Sequence, residues 1–143
     1  MQLPFTVKGT VVHGFGRGHS TLGFPTANVN PLSWKDDIDE KSFGVYCGSI
    51  TIDNGITRIG ILSIGKNVTF GVTHPTFEVH ILNFNEDIYG KEVSVTISNF
   101  VRPMKVFTSI NDLKNQIKKD ISDSLRLTKI VQSSAETEKS VAF

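Results

Sequence analysis

The sequence predicts a mainly β domain, built as a closed or nearly closed antiparallel barrel of five or six strands with one C-terminal α-helix. Apolar and polar residues alternate at period two through most of the chain. The segments between the predicted strands are too short for the crossover helices that a parallel sheet requires. Closure is favoured because it removes the exposed sheet edges that a small all-β domain must otherwise protect.

The first strand is predicted over residues 5–13, where apolar and polar side chains alternate. A glycine-rich excursion follows over residues 14–28, with the sequence GFGRGHSTLGFPTAN. Residues 31–42 form a polar loop before the next apolar run. Four acidic residues of this loop are expected to form a solvated surface: Asp36, Asp37, Asp39 and Glu40.

A hairpin is predicted around Asp53-Asn54-Gly55, which separates the apolar runs GVYCGSITI and ITRIGILSIG. The Asn-Gly pair predicts a tight turn because both residues tolerate the positive φ that such a turn demands. Two further strands are predicted over residues 77–84 and 92–101.

One amphipathic helix is predicted from roughly Ile110 to Ile130. Ser109 and Asp112 resemble a capping box at its start. Apolar residues then recur at helical spacing, and we expect them only to pack on the barrel: Ile110, Leu113, Ile117, Ile121 and Leu125. The prediction is one domain over residues 1–131 and a polar, flexible tail over residues 132–143.

Composition excludes several classes of protein. The 143 residues carry a net charge of +1, with 38% hydrophobic and 20% charged residues, which argues against disorder and against a strongly basic nucleic-acid binder. Cys47 is the only cysteine, so an internal disulfide and a cysteine-based zinc cluster are excluded, and we expect the thiol in the core. No signal peptide or membrane span is recognisable, which predicts a cytoplasmic protein.

The glycine-rich segment suits an anion, because glycine lets backbone N–H groups approach phosphate oxygens and arginine adds a charged donor. It fits neither standard phosphate loop. His19 stands where a dinucleotide-binding motif needs glycine, and Phe24-Pro25 follow Gly23 where a P-loop needs Lys-Ser or Lys-Thr. On the glycines alone, a flexible surface loop remains the alternative.

Thr26 and Asn28 in the following PTAN segment share one face if the segment is extended. Their neutral oxygens suit a hard divalent cation that takes its other ligands from phosphate and water. The alternative is a pair of hydrogen-bonding turn residues.

Three motifs in a fixed order resemble the riboflavin kinase family: GxGRGxxxLGxPTAN at residues 14–28, EVHIL with FNEDIYG at residues 78–90, and VRP at residues 101–103. The resemblance extends from about Phe5 to Leu127. It implies a six-stranded antiparallel Greek-key barrel with a C-terminal helix. It also implies a stand-alone enzyme that transfers the γ-phosphoryl group of ATP to the ribityl 5′-hydroxyl of riboflavin and so forms FMN.

The resemblance implies specific roles. Glu78 would be the general base, and Thr26 and Asn28 would hold the metal, Mg²⁺ with Zn²⁺ or Mn²⁺ as alternatives. His80, two residues along the strand, would orient Glu78 or fill a partly buried polar position. ATP would be bound by a larger set: Gly14, Gly16, Arg17, Gly18, Ser20, Thr26, Ile81, Asn83 and Tyr89. The flavin side would be formed by Arg102 on the product's phosphate, with Lys105 and Phe107 beside it.

Two departures from the family pattern matter. Ser20 stands where animal-type relatives have a lysine, and Lys66 stands where animal forms have a tryptophan, so that region is similar to the bacterial module. The adenylyltransferase domain that precedes the bacterial module is not recognisable in this sequence, so we expect the product to be FMN.

The partners expected are riboflavin and FMN, ATP and ADP, with no nucleic acid and no membrane, and the protein is expected to be a monomer. Two alternatives remain at this stage. One is a catalytically inactive flavin-binding protein of the same fold, which only Ser20 favours. The other is a nucleic-acid-binding barrel, which the near-neutral charge disfavours.

Overall fold

The structure is a computed structural model that describes residues 1–13, 26–66 and 74–142, with side chains described as far as Thr128. These residues form six β-strands: β1 Phe5–Val12, β2 Ala27–Val29, β3 Gly44–Ile52, β4 Thr57–Gly65, β5 Thr76–Ile81 and β6 Glu92–Arg102. Two 3-10 turns, Pro31–Ser33 and Glu40–Ser42, lie between β2 and β3. One α-helix, α1, spans Ile110–Ala142 in the described part of the chain.

The strands close into a barrel in the order β1-β2-β5-β4-β3-β6, and all neighbouring pairs are antiparallel. β3, β4 and β5 are sequential neighbours, and β6 returns to lie beside β3. Three consecutive strands with a fourth that returns next to the first is the Greek-key pattern. The predicted fold class is therefore confirmed.

Side chains along each strand alternate between the barrel interior and its outer wall. On β5, Phe77, Val79 and Ile81 pack in the interior, so Glu78 and His80, which alternate with them, point to the outer wall. The helix α1 packs on that wall against β3, β4 and β6. The alternation thus assigns the interior to packing and leaves the outer wall under α1 for polar side chains.

The predicted hairpin is present, but its turn lies one residue earlier than the Asn-Gly pair suggests. Asp53 and Asn54 adopt positive φ of 50° and 57°. The amide of Gly55 donates a 2.8 Å hydrogen bond to the carbonyl of Ile52 and closes the turn. Aspartate and asparagine both tolerate this conformation, so the Asp-Asn pair forms the turn.

Two other predicted segments differ in detail. β5 ends at Ile81 instead of residue 84, and Asn83 beyond it has a positive φ of 54°, which extended strands do not adopt. The polar loop exposes its acidic residues as predicted but buries Trp34, whose Nε1 donates to the carbonyl of Val29 at 3.1 Å. The loop is therefore attached to the barrel core.

The helix begins where predicted, and the hydroxyl of Ser109 accepts a 3.1 Å hydrogen bond from the amide of Asp112. It continues to Ala142 and not to Ile130, because the added residues include good helix formers and neither glycine nor proline. Whether residues 132–143 lie outside the domain stays a prediction.

The buried face of α1 also differs from the predicted apolar stripe. Ile110 is 61% exposed, whereas Asp120 and Ser124 are buried along with Leu113. Residues 113, 117, 120 and 124 follow the three- and four-residue steps of one helix face. The face that packs on the barrel therefore carries polar residues, and one of them belongs to the site described below.

Alkaline pH is expected to destabilise the fold. Burial raises the pKa of the Cys47 thiol above its ordinary value of 9.0, and burial raises the pKa of Tyr46 as well. As pH rises above about 9, the unfolded chain releases these protons before the folded chain does, so stability falls by up to about 1.4 kcal/mol per pH unit for each group. Urea denaturation at pH 8, 9 and 10 measures this loss.

The control variant for this prediction is Cys47→Ala. It should have a lower stability at every pH because a buried side chain is truncated, and a shallower decline between pH 9 and pH 10 because one titrating group is gone. An unchanged pH slope in that variant would show that the thiol does not contribute.

Candidate active site

One row of side chains crosses the outer wall of the barrel, because residues directly opposite each other on antiparallel strands point to the same face. The register aligns one residue from each strand, and we call these six residues the site row: Val12, Asn28, Glu78, Ser63, Val45 and Arg102, in spatial order. Neighbouring strands are about 4.8 Å apart. Measured along the sheet, Glu78 therefore lies about 10 Å from Val12 and about 14 Å from Arg102.

Glu78 is the buried carboxylate of the site row, with 4% of its surface exposed. Its Oε1 accepts a 3.1 Å hydrogen bond from the hydroxyl of Thr26. Asn28, 7% exposed, is its direct partner across the β2–β5 pair. The three residues that the sequence predicted as base and metal ligands are thus brought together, although 50 residues or more separate Glu78 from the other two.

A cavity opens beside Glu78, between the outer wall of the barrel, the segment after β6 and α1. His80, on the same face of β5, lines it together with Ser63. Met104 covers part of this wall and accepts a 3.7 Å hydrogen bond from the hydroxyl of Ser63 on its sulfur. The polar side of the cavity is therefore formed by strand residues that flank Glu78.

Apolar side chains from the segment after β6 and from α1 also line the cavity: Phe107, Leu113 and Ile117. A cavity lined by apolar side chains with a few convergent polar groups is typical of a small-molecule site. Phe107 is also approached by two cations, since the Arg102 guanidinium lies 5.7 Å and the Lys105 ammonium 5.5 Å from its ring centroid. The three predicted flavin-side residues are therefore neighbours.

Asp120 on α1 is a site residue that the sequence did not reveal. It is 2% exposed, and its two carboxylate oxygens accept hydrogen bonds from Nε and Nη2 of Arg102, both at 2.8 Å. Gln116, one turn earlier on α1, donates a third hydrogen bond to Oδ1 at 2.9 Å. This bidentate pair fixes the plane of the guanidinium at the end of β6.

Arg102 still has donors for an anion. It carries five N–H donors, and three are used by Asp120 and by the carbonyl of Pro103, which accepts from Nη1 at 3.1 Å. The predicted contact with a phosphate therefore stays a prediction that the remaining two donors allow. Asp120 compensates the charge of Arg102, and the exposed Lys105 adds a second positive charge at this end of the cavity.

The predicted nucleotide side is described only in part. Gly14, Gly16, Arg17, Gly18 and Ser20 lie outside the described residues. The side chain of Ile81 packs in the barrel core, so only its main chain is offered to a ligand. Asn83 is exposed. Tyr89 is 54% exposed and stacks on His13.

Among residues 1–13, 26–66 and 74–142, no group of three or more His, Cys, Asp or Glu side chains is arranged to bind a metal ion. In the same parts of the chain, no helix combines the length and the apolar content that crossing a bilayer requires.

Comparisons with known proteins agree with the motifs. A family model described as Flavokinase: Riboflavin kinase matches residues 1–128. The riboflavin kinase of Homo sapiens is 38% identical over 124 residues, which cover 85% of this chain and 79% of the human protein. A bifunctional riboflavin kinase/FMN adenylyltransferase of Listeria monocytogenes is 40% identical over 122 residues, which cover 85% of this chain.

The chain spans 37% of the length of that bifunctional relative. Among solved structures, riboflavin kinase from Trypanosoma brucei superposes with a TM-score of 0.60 at 26% identity, covering 88% of this chain and 80% of that one. The match thus extends to barrel and helix as well as to the motifs. This chain belongs to the riboflavin kinase family.

Proposed function

We propose that the protein phosphorylates riboflavin at the ribityl 5′-hydroxyl, with ATP as the phosphoryl donor, and releases FMN and ADP. The proposal rests on the position of Glu78 inside the site row, because the two ends of the row carry different kinds of side chain. Asn28 lies on one side of it in the row, and the cavity with Phe107 and Arg102 extends on the other, while Thr26 donates a hydrogen bond to the carboxylate at the cavity's edge. A nucleotide and a flavin can therefore approach Glu78 from opposite directions.

Glu78 is the general base in this proposal. The 5′-hydroxyl gives its proton to the carboxylate as its oxygen bonds to the γ-phosphorus, while the bond from that phosphorus to the bridging oxygen of ADP breaks. Thr26 donates to Oε1 and so restrains the orientation of the carboxylate. The burial of Glu78 on the outer wall excludes bulk water from the base, which favours transfer to riboflavin over hydrolysis of ATP.

Thr26 and Asn28 would hold the divalent metal. Their oxygens are hard, neutral donors beside one carboxylate, a set that suits Mg²⁺ better than Zn²⁺. Since these donors carry no charge themselves, the phosphates of ATP would supply the anionic ligands. The bound metal would neutralise charge on the transferred phosphoryl group.

The inactive flavin-binding alternative has no support from the described residues, because Thr26, Asn28 and Glu78 are all present and lie together. Ser20, which favoured it, lies outside them. Monomeric state and a cytoplasmic location stay predictions.

Incubation of the purified protein with riboflavin, ATP and MgCl₂, followed by chromatographic separation of the flavins, tests the proposal directly. We expect FMN to form in proportion to ADP, and no FMN when ATP is omitted. Binding of riboflavin without any FMN would overturn the kinase and support the inactive carrier. Replacement of MgCl₂ by ZnCl₂ or MnCl₂ in parallel reactions identifies the preferred metal.

Thr26→Ala is expected to weaken MgATP binding by about tenfold or more, because it removes a proposed metal ligand, while riboflavin binding changes by less than about threefold. Isothermal titration with each ligand separately measures the two affinities. Thr26→Ser is the control, since it keeps the hydroxyl on the metal and on Glu78. Equal losses for both ligands in Thr26→Ala would indicate that the variant disturbs the whole site.

A further inference from the structure

His13 and Tyr89 form a stacked pair of exposed aromatic rings at the end of β1. Their ring centroids are 3.7 Å apart and their planes differ by 13°. Tyr89 is 54% exposed, and His13 is exposed as well. A single exposed tyrosine needs no explanation, but a tyrosine stacked face to face on a second exposed ring is held in one orientation while it stays half exposed.

Backbone hydrogen bonds fix the segment that carries Tyr89. Its own amide donates to Oδ1 of Asp87 at 2.9 Å, and the amide of Gly90 donates to the carbonyl of Val11 at 2.9 Å. Ile88, next to the tyrosine, is buried in the barrel core. Both rings are therefore carried by backbone that is tied to the end of β1, so stacking of a ligand on them requires little further ordering of the protein.

The position of the pair relative to Glu78 indicates what stacks there. His13 follows Val12, which is the first member of the site row and lies about 10 Å from Glu78 along the sheet. Asn28 lies between Val12 and Glu78 in the site row, and the cavity extends from Glu78 in the other direction, toward Ser63, Val45 and Arg102. A flat ring at the His13–Tyr89 pair would thus belong to the nucleotide, with its phosphates directed at Asn28 and Thr26.

We propose that His13 is a positioning residue: by stacking on one face of Tyr89, it holds that ring in place for the nucleobase of the phosphoryl donor, to which the family resemblance already assigns Tyr89. This inference rests on the proposed kinase function. Base–aromatic stacking accepts any nucleobase face but favours large purine rings over pyrimidines. His13 would therefore contribute to affinity for the nucleobase, more for a purine than for a pyrimidine, without contacting the phosphates.

The test compares ligands with and without a base. Dissociation constants for MgATP, MgCTP and magnesium tripolyphosphate are measured by titration calorimetry for the wild type and for H13A, H13L and H13F. We expect H13A and H13L to weaken MgATP binding by about five- to tenfold and tripolyphosphate binding by less than twofold. H13F, which keeps a flat ring, should bind MgATP within about twofold of the wild type. H13L separates the two explanations, because it keeps apolar volume next to Tyr89 without a flat ring.

A second arm tests whether His13 acts through Tyr89. In a Tyr89→Ala background, H13A should cause no further loss of MgATP affinity, because the ring that His13 positions is gone. The inference is overturned if H13A binds MgATP like the wild type, if all three variants lose MgATP and tripolyphosphate equally, or if riboflavin affinity falls instead. Failure of the wild type to bind MgATP at all would overturn the proposed function, which is a different result from an unchanged H13A.

Discussion

Glu78→Gln is expected to lower kcat for FMN formation by about two to four orders of magnitude, the range that removal of a general base produces. The amide keeps the shape of the side chain and can still accept a hydrogen bond from Thr26 at the position of Oε1. It cannot take the proton of the 5′-hydroxyl. Because the site geometry is preserved, KM for riboflavin and for ATP should change by less than about threefold, and the loss should be confined to kcat.

Steady-state kinetics of FMN formation measure this effect, with thermal denaturation to confirm that the variant is folded. Glu92→Gln is a matched control, since it is the same substitution at an exposed carboxylate at the start of β6, outside the site row. We expect its kcat to be unchanged. A Glu78→Gln variant with near-wild-type kcat would exclude Glu78 as the base and direct attention to His80 on the same face.

The residues around Glu78 could be predicted from the sequence because their evidence is local. The alternation of FEVHI places Glu78 and His80 on the face opposite Phe77, and the packing of Phe77, Val79 and Ile81 in the barrel core agrees with it. The PTAN segment predicted a shared face for Thr26 and Asn28. What the sequence alone could not supply was the pairing of β2 with β5, which brings Glu78 directly opposite Asn28 and depends on barrel closure.

Asp120 illustrates what sequence reasoning missed and why. Hydrophobic periodicity assigned the packed face of α1 from apolar residues alone, so a polar residue on that face was overlooked. Its partner, Arg102, lies 18 residues earlier, on a different element, and only the docked helix brings the two together. A signal was nevertheless present: Gln116 and Asp120 continue from Leu113 at helical spacing, and a polar pair on a packed face requires a partner.

Asp120→Ala is expected to lower the free energy of unfolding by about 3 kcal/mol, because it leaves the largely buried Arg102 guanidinium without its counter-charge. The same change should raise KM for riboflavin by about tenfold or more while KM for ATP changes little. The reason is that Arg102, no longer held by two hydrogen bonds, is free to leave the flavin end of the cavity. Urea denaturation and steady-state kinetics measure the two effects.

The helix provides a matched control. Asp123, three residues further along α1, pairs with Arg126 at 3.1 Å, but the arginine side chain is 71% exposed. Asp123→Ala should therefore cost at most about 1 kcal/mol and leave both KM values unchanged, since exposed pairs are weakened by solvent. Asp120→Asn separates charge from shape, because the amide oxygen can keep one hydrogen bond to Arg102 while the ion pair is lost.

A double-mutant cycle with Arg102→Gln distinguishes a positioning role from general helix docking. If Asp120 acts through Arg102, the riboflavin KM of the Arg102→Gln, Asp120→Ala double variant should equal that of Arg102→Gln alone. Independent, multiplied losses would instead show that Asp120 contacts the flavin itself or supports α1 by other means. Gln116→Ala completes the series: it removes one of the three hydrogen bonds to Asp120 and leaves the ion pair, so its riboflavin KM should lie between those of the wild type and Asp120→Ala.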